Sequence, residues 1–390
     1  MISVEDALAQ LFALISALPT EEVPLIEAAE RILAAPVAAT RNQPPFSASA
    51  MDGYALIGAE ADQHAQFKVI GESAAGHGFA GVVKPGQSVR IFTGAPVPEG
   101  ATRVVIQENV ERRGDLITLT SEPGESDNIR PLGTDFSVGD TVQPPRLLSP
   151  ENIALLASMN IARVPVRRRP IVALISTGDE LVMPGETPGP DQIIASNTFG
   201  LYALCKRLGA TPRLLPIARD NRDSLETTFA LARGADLIVT IGGASVGDHD
   251  LVGDVAGSLG MERAFYKIAM RPGKPLMAGR MGDAVMLGLP GNPVSAMVCG
   301  HVFLAPLIRA MQGFDAGHTP TATAPLTAAL PANGPRTHYQ RARVENGALT
   351  VFDRQDSSLL SVLAQANALA ISPPHAPAQP AGSDIAYIRL

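Results

Sequence analysis

Between residues 170 and 311 the chain alternates between two periodicities. Short apolar runs rich in β-branched residues (IVALIST, PRLLPIA, DLIVTIGG) are separated by stretches of helical length, NTFGLYALCKRLG and RDSLETTFALARG. Parallel strands cannot be joined by a tight turn; they need a crossover of roughly a dozen residues, usually a helix. The alternation therefore predicts a central, doubly wound α/β domain, a parallel sheet covered by helices on both faces. Further strands are expected at FYKIAM and AVMLGL, and a long helix after Asn292. The polar break Arg167-Arg168-Arg169-Pro170 opens this domain, which we bound at 167–318.

The flanks have a different character. Ser3 and Asp6 make a capping-box start, and Leu8, Leu11, Phe12, Ile15 and Leu18 recur at helical spacing, which predicts a first helix over about residues 4 to 18. A second helix is expected from Pro24 to Ala34, and a third from Ser149-Pro150 to Met159. Residues 46–135 offer FKVIGE, SVRIFTG, RVVIQENVE and DLITLTS between Gly- and Pro-rich turns. They predict a mostly antiparallel β-rich domain inserted into a discontinuous helical or mixed N-terminal domain, 1–45 with 136–166. Short strands return after Gly317, among them HYQRARVENGALTVF, so 319–390 is expected to form a C-terminal β-domain.

Composition narrows the function. With 46% hydrophobic and 18% charged residues in 390, the chain has apolar surface for several cores and no signature of bulk disorder. A net charge of −7 argues against a general nucleic-acid binder, which would carry clustered surplus Lys and Arg. Cys205 and Cys299, each inside an apolar helix-like stretch, are read as buried thiols rather than disulfide or metal ligands. Glu5 and Asp6 precede any apolar run and the first basic residue is Arg31, so no signal peptide is expected. The apolar run from Met297 to Met311 is read as too short to span a bilayer. The expected compartment is the cytoplasm, with no membrane association.

In open parallel sheets, ligands bind where strands end and helices begin. Four such loops are unusually polar here. Ser176-Thr177-Gly178-Asp179-Glu180 runs from a strand into two carboxylates, and Arg219-Asp220 follows LLPIA. The third loop, Gly242 to Asp250, contains Gly243, Ser245, Gly247, Asp248 and Asp250; its glycines let backbone N–H groups approach a ligand. The fourth, Pro290-Gly291-Asn292-Pro293, opens a helix whose N-terminus suits an anion. A carboxylate after a strand is often only a helix cap, and a glycine turn only a turn. Five acidic residues converging on one sheet edge, however, repel one another unless a cation sits among them. A hard ion such as Mg²⁺, completed by substrate phosphate, fits that need. The basic run Lys267, Arg271 and Lys274, stiffened by Pro272 and Pro275, suits fixed positive charge against an oxyanion, although for any single member a solvated edge is slightly the better explanation.

These residues resemble the molybdopterin molybdenumtransferases, a family that includes the E-domain of gephyrin. The matching stretches are PPFSASAMDGYA (44–55), IFTGAPVPEGA (91–101), STGDEL (176–181), GGASVGDHD (242–250), MRPGKP (270–275) and LPGNPVSA (289–296). The resemblance implies an elongated homodimer of four-domain subunits that turns adenylyl-molybdopterin and molybdate into molybdenum cofactor and AMP, with Mg²⁺. It implies that Glu180 and Asp250 bind the metal and that Asp179, Asp220 and Asp248 shape the phosphate site. Asp52 and Thr93 would be the contributions of the inserted β-domain. Arg271, Lys274, Pro275 and Arg341 would form the molybdate pocket with Lys267 nearby, and Ser361, rather than Ser357, would supply its hydroxyl. Expected partners are the pathway's molybdopterin adenylyltransferase and apo-molybdoenzymes. Two rivals are a molybdopterin adenylyltransferase, which resembles only the α/β domain, and a receptor-clustering scaffold, which the lack of a long linker or partner domain disfavours.

Overall fold

The computed structural model describes residues 1–243 and 251–390. They divide into two units, Met1–Glu21 with Arg167–Leu390, and Glu22–Val166.

The first unit is built on a six-stranded sheet. Its strands run in the order Thr211–Leu214, Ile171–Ser176, Leu237–Ile241, Ala284–Leu289, Met277–Met281 and Met261–Tyr266. The first four are mutually parallel, and Met277–Met281 runs antiparallel to both of its neighbours. Side chains alternate between faces along each strand. Val172 and Leu174, with Leu237 and Val239, enter one core, whereas Ala173, Ile175 and Ile238 enter the other. The first core holds the helices Val4–Phe12 and Asn197–Arg207 and the long Pro293–Met311 helix, and the second holds Arg222–Leu231 and Leu251–Ser258. The doubly covered sheet matches the expectation, with an antiparallel edge that the FYKIAM run did not announce. That run splits into the end of Met261–Tyr266 and a separate Met270–Arg271 strand.

The helix after Asn292 is longer than the Met297–Met311 run on which the expectation rested. It runs Pro293–Met311, is long and apolar enough to cross a bilayer by composition, and is mostly buried inside the unit. Its middle turn, Gly300–Leu304, widens to a π-helix. Close packing against Asn197–Arg207 requires glycine on both partners: a Cβ at Gly200 would meet Met297 Sδ at 2.7 Å, and one at Gly300 would meet Leu201 Cδ2 at 2.6 Å. Cys205 and Cys299 are buried free thiols. Burial pushes the Cys205 thiol up to about 12 and Cys299 higher still, so both are inert.

A second sheet in this unit has the order Met270–Arg271, Thr337–Glu345, Ala368–Ser372, Asp384–Arg389, Thr321–Pro325, with Ala348–Val351 completing a hairpin on Thr337–Glu345. Met270–Arg271 pairs in parallel with Thr337 and His338, so the basic segment between the last α/β strands is stitched into the C-terminal sheet.

In the second unit a six-stranded sheet has the order Arg103–Ile106, Gly53–Leu56, Gln87–Ile91, Gln66–Ser73, Leu116–Leu119, Val110–Arg113. All its pairings are antiparallel except that of Gln66–Ser73 with Gln87–Ile91. A smaller four-stranded sheet and the helix Pro150–Ser158 enclose a separate core around Leu33, Leu148 and Leu156.

Two helical expectations fail. The first helix ends at Phe12, although Leu14, Ile15 and Leu18 still pack on the same core. From Pro24 to Ala34 the chain forms a 3-10 turn, Leu25–Glu27, and a short strand, Ile32–Leu33, with Glu30 at φ 60 between them. Leu33 pairs with Arg146 and Val166, and those ladder bonds outweigh a helical spacing of apolar residues.

Candidate functional site

The C-terminal ends of the four parallel strands open into a cleft of about 780 Å³. Backbone bonds between neighbouring strand ends fix its floor: Thr177 N–H donates to Ile241 O, Gly178 N–H to Ala218 O and Gly242 N–H to Leu289 O. Thr177, Gly178, Glu180 and Asp220 line one side. Gly243, Pro290, Gly291, Asn292 and Pro293 line another, with Pro275 at the rim. Three of the four expected loops therefore meet, joined by the first residues of the third. Ser245, Gly247, Asp248 and Asp250 lie outside the described residues.

Glycine is required where the loops touch. Gly178 has φ +145, and a Cβ there would fall 2.3 Å from Glu180 Oε2. Gly243 has φ +66, and its Cβ would strike Val252 Cγ2 at 2.3 Å. Both positions exclude side chains on steric and torsional grounds.

Arg219, named in the second loop but given no role there, clamps the first loop. Its Nη1 donates to Leu181 O at 3.0 Å and Asp179 O at 3.1 Å, and lies 3.4 Å from Gly178 O. Asp220 N–H donates to Asp179 Oδ1 at 3.1 Å, so Asp179 acts as a turn cap while Glu180 and Asp220 present exposed carboxylates to the cleft. Two further lining residues were missed. Asp254 sits in the first turn of Leu251–Ser258, four residues after Asp250, a helical spacing that was available to read. Asn197 donates from Nδ2 to Gly291 O at 2.7 Å and so ties the start of its helix to the fourth loop.

Asn292 is the N-cap of the long helix but makes no capping bond with its side chain, leaving the carboxamide available to a ligand. The backbone N–H of Val294 donates to Ser357 O at 3.1 Å, which brings the 354–358 segment of the C-terminal sheet domain to this helix start.

The basic residues are only partly gathered. Arg271 is exposed and Lys274 half-buried, and neither side chain has a hydrogen bond or ion pair among the described residues. The Lys267 ammonium rests over the Tyr266 ring, 4.9 Å from its centroid. Arg341 corrects the expectation. It is 2% exposed, with Nε on Gln355 Oε1 at 3.1 Å, Nη1 on Asp356 O at 2.6 Å and Nη2 near Arg354 O at 3.3 Å. Three of its N–H donors are thus taken within its own domain, where the buried guanidinium braces the 354–358 segment. Ser361 is exposed on the short helix Leu360–Leu363, and Ser357 faces the helix start through its carbonyl.

In the other unit, Asp52 and Thr93 do form a pair. Thr93 donates to Asp52 Oδ1 from both its backbone N–H and its hydroxyl, each at 2.7 Å. Those two bonds, helped by Arg90, hold the Asp52 carboxyl below the usual carboxylate range.

The doubly wound sheet, with a glycine turn, a helix start and convergent carboxylates at its strand ends, defines a class of α/β proteins that bind phosphorylated small molecules in a crevice. Comparison with known proteins narrows the class. Residues 2–160 match the MoeA N-terminal region (domain I and II), 173–310 a probable molybdopterin binding domain, and 323–390 the MoeA C-terminal region (domain IV). A molybdopterin molybdenumtransferase of Nostoc sp. is 35% identical over 415 residues, covering 100% of this chain and 94% of the relative. One from Haemophilus influenzae is 40% identical over 297 residues, 75% of this chain and 73% of the relative. The crystal structure of the molybdopterin biosynthesis MoeA protein of Pyrococcus horikoshii OT3 superposes with a TM-score of 0.86 at 26% identity, covering 100% of both chains. The chain belongs to the molybdopterin molybdenumtransferase family.

Proposed function

We propose that this protein inserts molybdenum: it converts adenylyl-molybdopterin and molybdate into molybdenum cofactor and AMP. One observation carries the reading. Glu180 and Asp220 face a glycine turn and a helix N-terminus across one cleft, at the strand ends of a chain that matches this family along its length.

The adenylate phosphate is read as lying against the Gly243 turn and Asn292, where backbone dipoles and a free carboxamide favour an anion. Among the described residues no group of three carboxylate, His or Cys ligands is assembled. Glu180 and Asp220 are hard oxygen donors on that same cleft, which fits a Mg²⁺ ion that takes its remaining ligands from substrate phosphate, water and, on our reading, Asp250. When bound, such an ion supplies Lewis-acid polarisation of the phosphate oxygens. Arg271 and Lys274 are read as the charge-assisted donors for molybdate, with Lys267 nearby and the exposed Ser361 hydroxyl as an accessory donor. Arg341 becomes a positioning residue.

The reading extends to a cytoplasmic homodimer of four-domain subunits whose mate supplies Asp52 and Thr93, working between the molybdopterin adenylyltransferase and apo-molybdoenzymes. The test is incubation with adenylyl-molybdopterin, Mg²⁺ and molybdate, followed by reconstitution of a molybdenum-free apoenzyme. Molybdate-dependent release of AMP with active apoenzyme supports the proposal. Consumption of ATP to adenylylate molybdopterin, without molybdenum insertion, overturns it.

A further inference from the structure

Beside the main cleft lies a second cavity of about 380 Å³ that no part of the mechanism uses. Ser196 and Asn197 line both, so the two spaces adjoin across the start of the Asn197–Arg207 helix. Its walls come from that helix, from the π-helical turn of the long helix, and from the Leu360–Leu363 turn of the C-terminal domain.

Two polar side chains in this cavity stand without hydrogen-bond partners among the described residues. Arg207 is an exposed guanidinium with no hydrogen bond or ion pair. His301 is only 8% exposed, yet its ring makes no hydrogen bond and borders the cavity. Its ring nitrogens are not among the fully buried unmatched atoms, so they reach the cavity, where a bound molecule can supply a partner. Burial, and to a lesser degree the Arg207 charge, lower its pKa to about 4, so at neutral pH it offers one donor and one acceptor. The other polar groups are already engaged: Asn197 on Gly291 O, and Asn367 on the backbone of Val344 through both ends of its carboxamide. Met297, Leu360 and Leu363 supply apolar walls.

A tetrahedral oxoanion is far smaller than this space and gains nothing from apolar walls. The size, the flanking hydrocarbon and the sparse polar groups suit a flat ring with acceptors on its edge. We propose that the cavity is a ring subsite: it takes a planar nitrogen heterocycle of the substrate, with ring-nitrogen acceptors turned to Arg207 and His301, while the attached phosphate lies in the adjoining cleft. The inference rests on the proposed function, whose substrate carries two such rings, a pterin and an adenine, and the recognition chemistry is common to both.

Two variants test it. Ala364 is exposed and borders the cavity, so Ala364→Trp fills the space with little disturbance of the core, and Arg207→Met removes the free donor. Each is titrated with 6-hydroxymethylpterin and, separately, with AMP, by fluorescence and calorimetry, after a thermal melt shows the fold intact. We expect one of the two ligands to weaken roughly tenfold or more in both variants while the other is unchanged, and the ligand affected names the ring. Equal binding of both ligands to wild type and to Ala364→Trp, or failure of both rings to bind wild type, overturns the subsite. Failure of the transferase reading would look different: wild type would then release no molybdate-dependent AMP from the full substrate.

Discussion

Arg219 touches no ligand in our reading, yet its removal is expected to cripple the cleft. Nη1 carries two N–H groups and serves the carbonyls of Leu181 and Asp179, with Gly178 O as a longer third contact. Bonds from a charged donor contribute about 1.5 to 3 kcal/mol each, and the half-buried setting places these near the lower end, so Arg219→Met should release about 2 to 3 kcal/mol of local order. The 219–221 turn itself stays anchored, because Arg219 N–H donates to Ser224 Oγ and Asn221 caps the following helix. The loss is therefore concentrated in residues 178–181, which carry Glu180. A displacement of about 1 Å at a reacting group can cost about a hundredfold, so kcat/KM for AMP release should fall by roughly 10- to 100-fold. Arg219→Lys should restore only part of this, since a point donor cannot reach the same carbonyls in one plane. Hydrogen–deuterium exchange over 178–181, with steady-state AMP release, is the assay. Wild-type kcat/KM together with unchanged exchange in the Met variant would refute the reasoning.

Three further outcomes are expected. Gly243→Ala places a Cβ 2.3 Å from Val252 at φ +66, a torsional cost of about 1 to 2 kcal/mol before any clash, so AMP affinity and melting temperature should both drop; calorimetry showing neither would remove the close-approach argument. Arg341→Met strips a buried, triply bonded guanidinium and should cost about 2 to 4 kcal/mol in urea unfolding while the molybdate dependence of surviving enzyme stays the same; the reverse pattern would return Arg341 to a ligand role. His301 and His338 both have pKa values lowered from 6.5 to about 4, mainly by burial, with Arg207 adding to the effect at His301 and Arg271 at His338. Between those values the unfolded chain binds more protons than the fold, so stability present at pH 7 is lost as pH falls from about 6.5 towards 4, by up to about 3 kcal/mol per ring and less for the partly exposed His338. A His301→Asn, His338→Asn double variant should flatten the urea midpoint between pH 6.5 and 5, and an unchanged slope would refute the assignment.

What could be read from the sequence followed the reach of each signal. The parallel sheet was legible because a strand buried on both faces needs an unbroken apolar run, and IVALIST and DLIVTIGG supply it, with alternate residues entering two separate cores. The helix expected from Pro24 to Ala34 failed for the complementary reason. Leu25, Ala28, Ile32 and Leu33 mimic a helical face, but Leu33 finds its partners at Arg146 and Val166, more than a hundred residues away, and no local window contains them. The antiparallel edge was hidden in the same way, because direction in a sheet is a property of pairs of strands.

At the site, donor chemistry was legible and the choice of acceptor was not. Arg341 and Arg219 are the same residue type near equally polar neighbours, and the sequence reading treated the first as a ligand and gave the second no role. The structure assigns both to bracing: Arg341 holds the 354–358 segment whose Ser357 carbonyl meets the long helix at Val294, and Arg219 holds the loop that carries Glu180. Arg271 and Lys274 have no hydrogen bond or ion pair among the described residues, which supports the proposal that they answer the anion. A cation already matched by several carbonyls would have to break those bonds before it could hold molybdate, whereas an unmatched one gains contacts on binding. Which arginine binds and which one braces is therefore decided by the acceptors that tertiary structure brings to it, and these come from segments 13 to 41 residues distant along the chain.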